Sequence, residues 1–400
     1  MNLKKGLRVR HGELEDQSDA DPSVMDVPRI RKRRQDYTIA WICALPLELE
    51  ASRHMLDAEH RLLPTDAGDD NSYVLGHICQ HNIVMASLPG QYGTNNAAIV
   101  ATHLKRSFPS IRATLMVGIG GGSPSQADMY LGDIVVGTKV VQYDMGKVVL
   151  DGQFQETADA KAPAPLLNSA VSNLRSRCRQ HHPNNRVITL LRSRLPTPTY
   201  TRPSQPDRLF QSTYEHPPNA TSCDKCDPAR LQPRGSRLSD EPRIHYGVIA
   251  SGNRVMKNGI VRDNIAQRHL AMCFEMEAAG MMDILRCLPI RGICDYSDSH
   301  KNKEWQDYAA ATAAAYARAL LEVLPPQHQR TTLGESAMSQ VQHVYMVWTR
   351  APRTRRWVIV SLLVLLVLTA TIVGLCLRFL SKRSETTGYV RGSEWRAEWP

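Results

Sequence analysis

The chain has 400 residues, of which 42% are hydrophobic and 22% charged, and it exceeds the ~100–200 residues of a typical domain. That balance excludes wholesale disorder and a multi-pass membrane protein. The formal net charge is +10, but the surplus gathers at the two ends and in one insertion, so no specific nucleic-acid partner is expected.

Residues 1–35 are polar and close on Arg29-Ile30-Arg31-Lys32-Arg33-Arg34. They read as a solvated, disordered basic arm, with a nuclear-localisation or acidic-lipid signal as the functional alternative. No apolar stretch precedes Tyr37, so no cleavable signal peptide is expected. Tyr37–Ala44 predicts a short apolar strand, and Pro46 opens a helix over Leu47–Leu56. Tyr73–Leu75 and Asn82–Leu88 predict paired strands. Gly90–Asn96 reads as a turn with capping residues before a helix over Ala97–Phe108. Thr114–Gly118 predicts a buried strand followed by the loop Ile119-Gly120-Gly121-Gly122, and Leu131–Val136 a further strand.

From about Gly152 to Arg243 the pattern degrades into Pro, Arg, Ser and His. A helix over Leu166–Arg177 is expected there, followed by an irregular insertion at about 178–243. Strands follow at His245–Ala250, Met272–Glu275 and Pro289–Cys294, with a helix from Glu277 and an alanine-rich closing helix over Tyr308–Val323. Strands alternating with helices predict an α/β domain on a mixed sheet over residues 36–327. After a linker at 328–356, the 21 residues Trp357–Leu377 carry no charge. They predict one transmembrane helix with a short tail at 378–400, since about 20 apolar residues span a bilayer core. Arginine and lysine flank this span evenly, so orientation rests on the absent signal, the short tail and the cysteines. A tail-anchored, single-pass protein with its catalytic domain in the cytosol is the expectation. The nine cysteines are odd in number, and several sit in apolar runs such as Trp41-Ile42-Cys43-Ala44. That usage suits buried thiols in a reducing compartment.

Acids at strand ends carry the chemistry, because open α/β sheets place their sites outside the carboxyl ends of strands. Glu48 follows the first strand, Glu275 and Glu277 follow Met272-Cys273-Phe274, and Asp295 follows Ile290–Cys294. Two such acids cleave a glycosidic bond when one protonates the leaving group and the other activates water. The glycines Gly118, Gly120 and Gly121 offer backbone without side chains, which can lie flat against a planar ligand. The sequence contains no Gly-x-x-x-x-Gly-Lys-Ser/Thr, which excludes P-loop chemistry. His216-x6-Cys223-x2-Cys226 is a weak zinc candidate needing a further ligand, for which Cys178, His181 and His182 are available.

Five blocks occur in the order seen in the nucleoside phosphorylase superfamily. They are Tyr37–Glu48, Val117–Gly122, Leu131–Val136, Phe274-Glu275-Met276-Glu277-Ala278-Ala279-Gly280 and Arg291-Gly292-Ile293-Cys294-Asp295. The chain resembles the fungal branch often found at the N-terminus of NLR-like proteins. The resemblance implies a three-layer α/β/α fold with a mixed sheet, no cofactor and a homo-oligomer. It implies that Glu277 holds the ribose hydroxyls with Met276 on the sugar and Glu275 beside them, and that Asp295 protonates or hydrogen-bonds purine N7. By the same resemblance Val255 and Met256 line the base, and the Gly118–Gly122 loop lies under base and sugar. Ile119 stands where phosphorylases commonly place a phosphate-binding serine, whereas Ala44-Leu45-Pro46-Leu47-Glu48 resembles the hydrolytic nucleosidases, whose glutamate activates water. Cys294 replaces the serine usual before the aspartate. A nucleosidase acting on a purine nucleoside or nucleotide is therefore expected, with phosphorolysis or an idle scaffold of the same fold as alternatives. The insertion arginines Arg192, Arg194, Arg202, Arg208, Arg230 and Arg234 suggest that it takes a 5′-phosphate.

Overall fold

The computed structural model describes residues 30–326 apart from 181–183, 219, 221, 236 and 238. The elements run, in chain order, β1 (Ile39–Cys43), α1 (Pro46–Arg53), β2 (Ala58–Glu59), β3 (Tyr73–Ile78), β4 (His81–Ser87), α2 (Thr94–Ser107) and β5 (Ala113–Gly122). There follow β6 (Ile134–Gln142), β7 (Gly146–Val148), β8 (Phe154–Glu156), α3 (Pro165–Gln180), α4 (Asn184–Arg194) and β9 (Ile244–Ser251). The chain then forms α5 (Gly259–His269), β10 (Ala271–Glu275), α6 (Ala278–Leu285), β11 (Leu288–Asp295) and α7 (Gln306–Val323).

Nine strands form one mixed sheet in the order β10-β9-β6-β11-β5-β1-β4-β3-β2. The sheet also closes on itself, because β10 pairs antiparallel with β5 through Phe274–Gly121 and Cys273–Gly122. β5, β11, β6, β9 and β10 thus make a ring. β1 is buried on both faces: Ile39, Trp41 and Cys43 join a core with α1, α3, α4 and α7, while Ala40 and Ile42 join a core with α2 and α6. Strand alternation sends successive side chains to opposite faces, so five consecutive apolar residues require helices on both sides. The alanine-rich α7 follows the same logic: a side chain at Gly292 of β11 would strike the Ala309 carbonyl. Only small residues on both partners permit so close an approach.

Several expectations need correction. The glycine run Gly118–Gly122 is not a loop but the end of the ten-residue strand β5. The insertion is not irregular from 178, because α4 lies inside it and packs Val187 and Leu190 against the α7 side of the core. The predicted strand at Leu131–Val136 begins only at Ile134. There, Gly132 turns the chain with φ +88°, and buried Asp133 accepts bonds from Tyr130 N, Arg243 N and Arg237. Helix α5 and the β7–β8 hairpin were not predicted. The basic arm is docked at its end, where Arg34 donates to the Pro64 carbonyl and Arg33 pairs with Asp36 at 3.0 Å. No helix among the described residues is long and apolar enough to cross a membrane; Trp357–Leu377 lies outside them.

Candidate active site

The carboxyl ends of β1, β9, β10 and β11 meet around one cavity of 460 Å³, within the roughly 300–1,000 Å³ of ordinary ligand sites. Glu48, Glu275, Glu277, Gly120, Gly121, Val255, Met256, Met276 and Cys294 border it, as do Tyr92, Arg254, Phe274, Ser297, Lys301 and Lys303, whereas Asp295 does not. Gly118 does not border it. A side chain there would sit 2.2 Å from Glu48 Oε1, so this glycine makes room for the acid rather than for a ligand. Gly121 plays a like part beneath Ser297 and Asp295, whose Oγ and Oδ1 stand 2.0 and 2.6 Å from where its Cβ would be.

Pro46 at the first position of α1 puts Glu48 in the opening turn. Its Oε2 accepts from Ala44 N at 2.7 Å and Leu45 N at 2.9 Å, and its Oε1 from Ile119 N at 2.8 Å. Burial pushes the carboxyl above its ordinary value, against the opposing pull of Arg291 and those three N–H groups. Such a group is a stronger base once ionised.

Arg291 is the centre of the acid cluster. It lies in β11, every residue of which is buried. Its Nη2 donates to Glu275 Oε2 and stands 3.5 Å from Glu277 Oε2. Glu275 also accepts from Glu277 N at 3.2 Å and Ala278 N at 3.0 Å, capping α6, so it is tied into the scaffold on two sides. Glu277 accepts from Gly93 N at 3.5 Å and Met276 N at 3.3 Å. Burial, with the Glu275 charge added, raises its carboxyl to about 7. One guanidinium thus faces three acids. An arginine inside an otherwise apolar strand was the signal for it in the sequence.

Asp295 ends β11. Its Oδ1 accepts from Ser297 N at 2.8 Å, and its Oδ2 lies 2.8 Å from Lys301 Nζ and 3.1 Å from Cys294 Sγ. Burial pulls the Lys301 ammonium down, but the Asp295 charge outweighs it and holds the group above its ordinary value. Sequence reasoning missed Lys301, Arg254 and Lys303, which lie on loops without a motif. The insertion arginines do not supply the cavity's charge. Arg194 pairs with Asp57, Arg202 with Asp240, Arg208 with Asp224 and Arg234 with Asp207, Arg230 lies over the Tyr214 ring, and none of these, nor Arg192, borders the cavity.

Residues 38–324 match the family model of the phosphorylase superfamily. The chain belongs to that superfamily. A nucleotide-binding leucine-rich repeat (NLR)-like protein of Hyaloscypha variabilis is 41% identical over 302 residues, covering 73% of this chain and 30% of that protein. The match therefore spans under a third of that relative's length. A 5′-methylthioadenosine/S-adenosylhomocysteine nucleosidase of Mycobacterium bovis is 25% identical over 297 residues, covering 72% of this chain and 97% of that protein. Among solved structures, the native futalosine hydrolase of Helicobacter pylori matches with a TM-score of 0.48 at 16% identity, over 72% of this chain and 97% of that one.

Proposed function

We propose that this domain hydrolyses the N-glycosidic bond of a purine nucleoside or nucleotide. The observation that carries the reading is the meeting of Glu48 and Glu277 in one cavity with apolar walls at Val255, Met256, Phe274 and Met276, with Asp295 held behind the Cys294, Ser297 and Lys301 that line it. Superfamily membership and the nucleosidase relative support cleavage of nucleosides.

Water attacks C1′ and gives a proton to Glu48. The C1′–N9 bond breaks with its electron pair passing to the purine, and Asp295 supplies the proton at N7. Glu277 accepts hydrogen bonds from the ribose hydroxyls and so holds C1′ in place. The proton taken by Glu48 returns through solvent to Asp295, which restores the site. Water is favoured over phosphate because Ile119 N is already held by Glu48, and an anion beside the Glu48, Glu275 and Glu277 carboxylates would meet like charge. Arg254 and Lys303 in the wall suit a substrate with an anionic group.

Purified protein should release free base from at least one of adenosine, 5′-methylthioadenosine, S-adenosylhomocysteine, guanosine or ATP without added phosphate, read by mass spectrometry. Release that requires phosphate and yields a sugar 1-phosphate would replace hydrolysis by phosphorolysis, and no release from the panel would refute the enzymatic reading. We also propose that residues 357–377 anchor the domain on the cytosolic face of a membrane. Protection of the domain from protease in intact microsomes would overturn that topology.

A further inference from the structure

The insertion holds a second constellation that the proposed reaction does not use. The described residues of 205–234 contain almost no regular structure beyond short 3-10 turns, yet they are held against the loop after β11. Cys223 and Cys226 bracket one 3-10 turn, in which Cys226 N donates to the Cys223 carbonyl at 3.2 Å. A ring nitrogen of His216 and the two Sγ atoms all lie within 4.8 Å of one another. Donors around tetrahedral zinc, at about 2.3 Å for sulfur and about 2.0 Å for nitrogen, stand somewhat under that separation, so a small closure completes the site. His216 Nδ1 lies 3.1 Å from the Pro217 carbonyl. A carbonyl only accepts, so Nδ1 carries the hydrogen and Nε2 keeps its lone pair. That arrangement orients metal-ligating histidines.

An independent observation points to the fourth position, which lies outside that three-residue group. Both ring nitrogens of buried His300 lack a hydrogen-bond partner, with Asp298 Oδ1 beyond bonding range at 3.6 Å. Buried polar groups are rarely left so. The His300 ring stands 5.4 Å from that of His216, centre to centre. Two imidazoles on one tetrahedral zinc have centres about 5 Å apart, given Zn–N of about 2.0 Å. Phe210 stacks on the other side of His300 at 4.1 Å.

We propose that His216, Cys223, Cys226 and His300 bind a structural zinc ion that staples the insertion to the loop carrying Asp295 and Lys301. Zinc displaces the two thiol protons to solvent, so its charge is balanced by two thiolates and the imidazoles stay neutral. The staple bears on the cavity through short connections. His216 N donates to Ser299 Oγ at 3.0 Å, and Cys223, Asp295, Asp298 and His300 line one small space. Fixing His300 therefore fixes the segment that presents Asp295. The proposal stands independently of which substrate the domain takes.

The test uses the full chain, purified without chelator and without metal-affinity steps, then given equimolar zinc and desalted. Elemental analysis should find one zinc per chain, and X-ray absorption two sulfur and two nitrogen neighbours with Zn–S near ~2.3 Å. Stripping the wild-type metal with a chelator should expose residues 198–240 to protease, and adding zinc should restore resistance; this arm needs no substitution that might block folding. Cys223→Ser should bind no zinc and be cleaved like the stripped protein. Substoichiometric zinc after loading, a Cys223–Cys226 disulfide in the mass spectrum, or undiminished zinc in Cys223→Ser would each overturn the site. Retention of the two-sulfur, two-nitrogen shell in His300→Ala would overturn the fourth ligand.

Discussion

Glu277→Gln should make the protein more stable at alkaline pH while weakening its hold on ribose. In the folded state burial and the neighbouring Glu275 raise this carboxyl from 4.5 to about 7. Below about pH 4.5 it is protonated in both states and contributes no difference. Between 4.5 and 7 the folded protein keeps a proton that the unfolded chain has released, so stability falls as pH rises. Above 7 both are ionised, and the buried charge costs the fold about 3 kcal/mol. Glutamine removes the charge and keeps the shape. Its amide oxygen can still accept from Met276 N and Arg291 on the Oε2 side; the bond given up is the long one to Gly93 N at 3.5 Å. We expect a gain of about 1–3 kcal/mol near pH 8, shrinking to well under 1 kcal/mol near pH 5. Urea denaturation of the two proteins at both pH values measures it, with calorimetry recording weaker binding of a ribose-containing ligand. A variant no more stable than wild type near pH 8, or a difference that does not vary with pH, would refute the reasoning.

Asp295→Asn should lower base release about 10²–10⁴-fold, the usual weight of a general acid, with an unchanged far-ultraviolet dichroism spectrum; normal turnover by chromatography would remove Asp295 from the mechanism. Glu48→Gln should lose hydrolysis but keep ligand affinity by calorimetry, since activating water is separate from holding the sugar, and lost binding would reverse the roles of Glu48 and Glu277. Lys301→Met removes the cation that stands 2.8 Å from the Asp295 carboxyl and helps to hold it in place, so kcat should fall while the dichroism spectrum stays unchanged; an unchanged kcat would make Lys301 structural only. Arg291→Met strands the charges of Glu275, Glu277 and Glu48 and should cost about 3–5 kcal/mol in denaturant unfolding. Adding Glu275→Gln should recover part of that loss, and a single variant within about 1 kcal/mol of wild type would contradict the buried ion cluster.

The parts of the fold legible in the sequence were those where one interaction dominates. Ile39–Cys43 is buried on both faces, so its unbroken apolar run predicted a short apolar strand, and the alanines of α7 predicted a closing helix. Boundaries failed where long-range pairing overrides local pattern. Glycine weakens an isolated strand, so Ile119–Gly122 read as a loop. The structure extends β5 through it because β10 and β11 pair on either side and Glu48, Cys273 and Ser297 occupy the space side chains would fill. Helix α4 was hidden for the opposite reason, since its exposed face carries Arg186 and Arg192, and its buried face only a few apolar residues.

The site divided along similar lines. Acids directly after buried strands were visible because hydrophobic pattern locates strand ends to within a residue or two, and a carboxylate there is conspicuous. Lys301 and Arg254 were not, since a cation in a loop reads the same whether it faces solvent or a cavity. The insertion arginines show the converse error: their density suggested a phosphate site, but neutralising Asp57, Asp207, Asp224 and Asp240 is what employs four of the six. A count of charges along a sequence cannot distinguish those cases, because the partner that cancels an arginine can lie over a hundred residues away, as Asp57 does from Arg194. Arg291 was the exception that a sequence could have betrayed. A permanently charged side chain in a strand buried along its whole length must have its counter-charges within reach, and the acids of neighbouring strand ends are where those charges had to be.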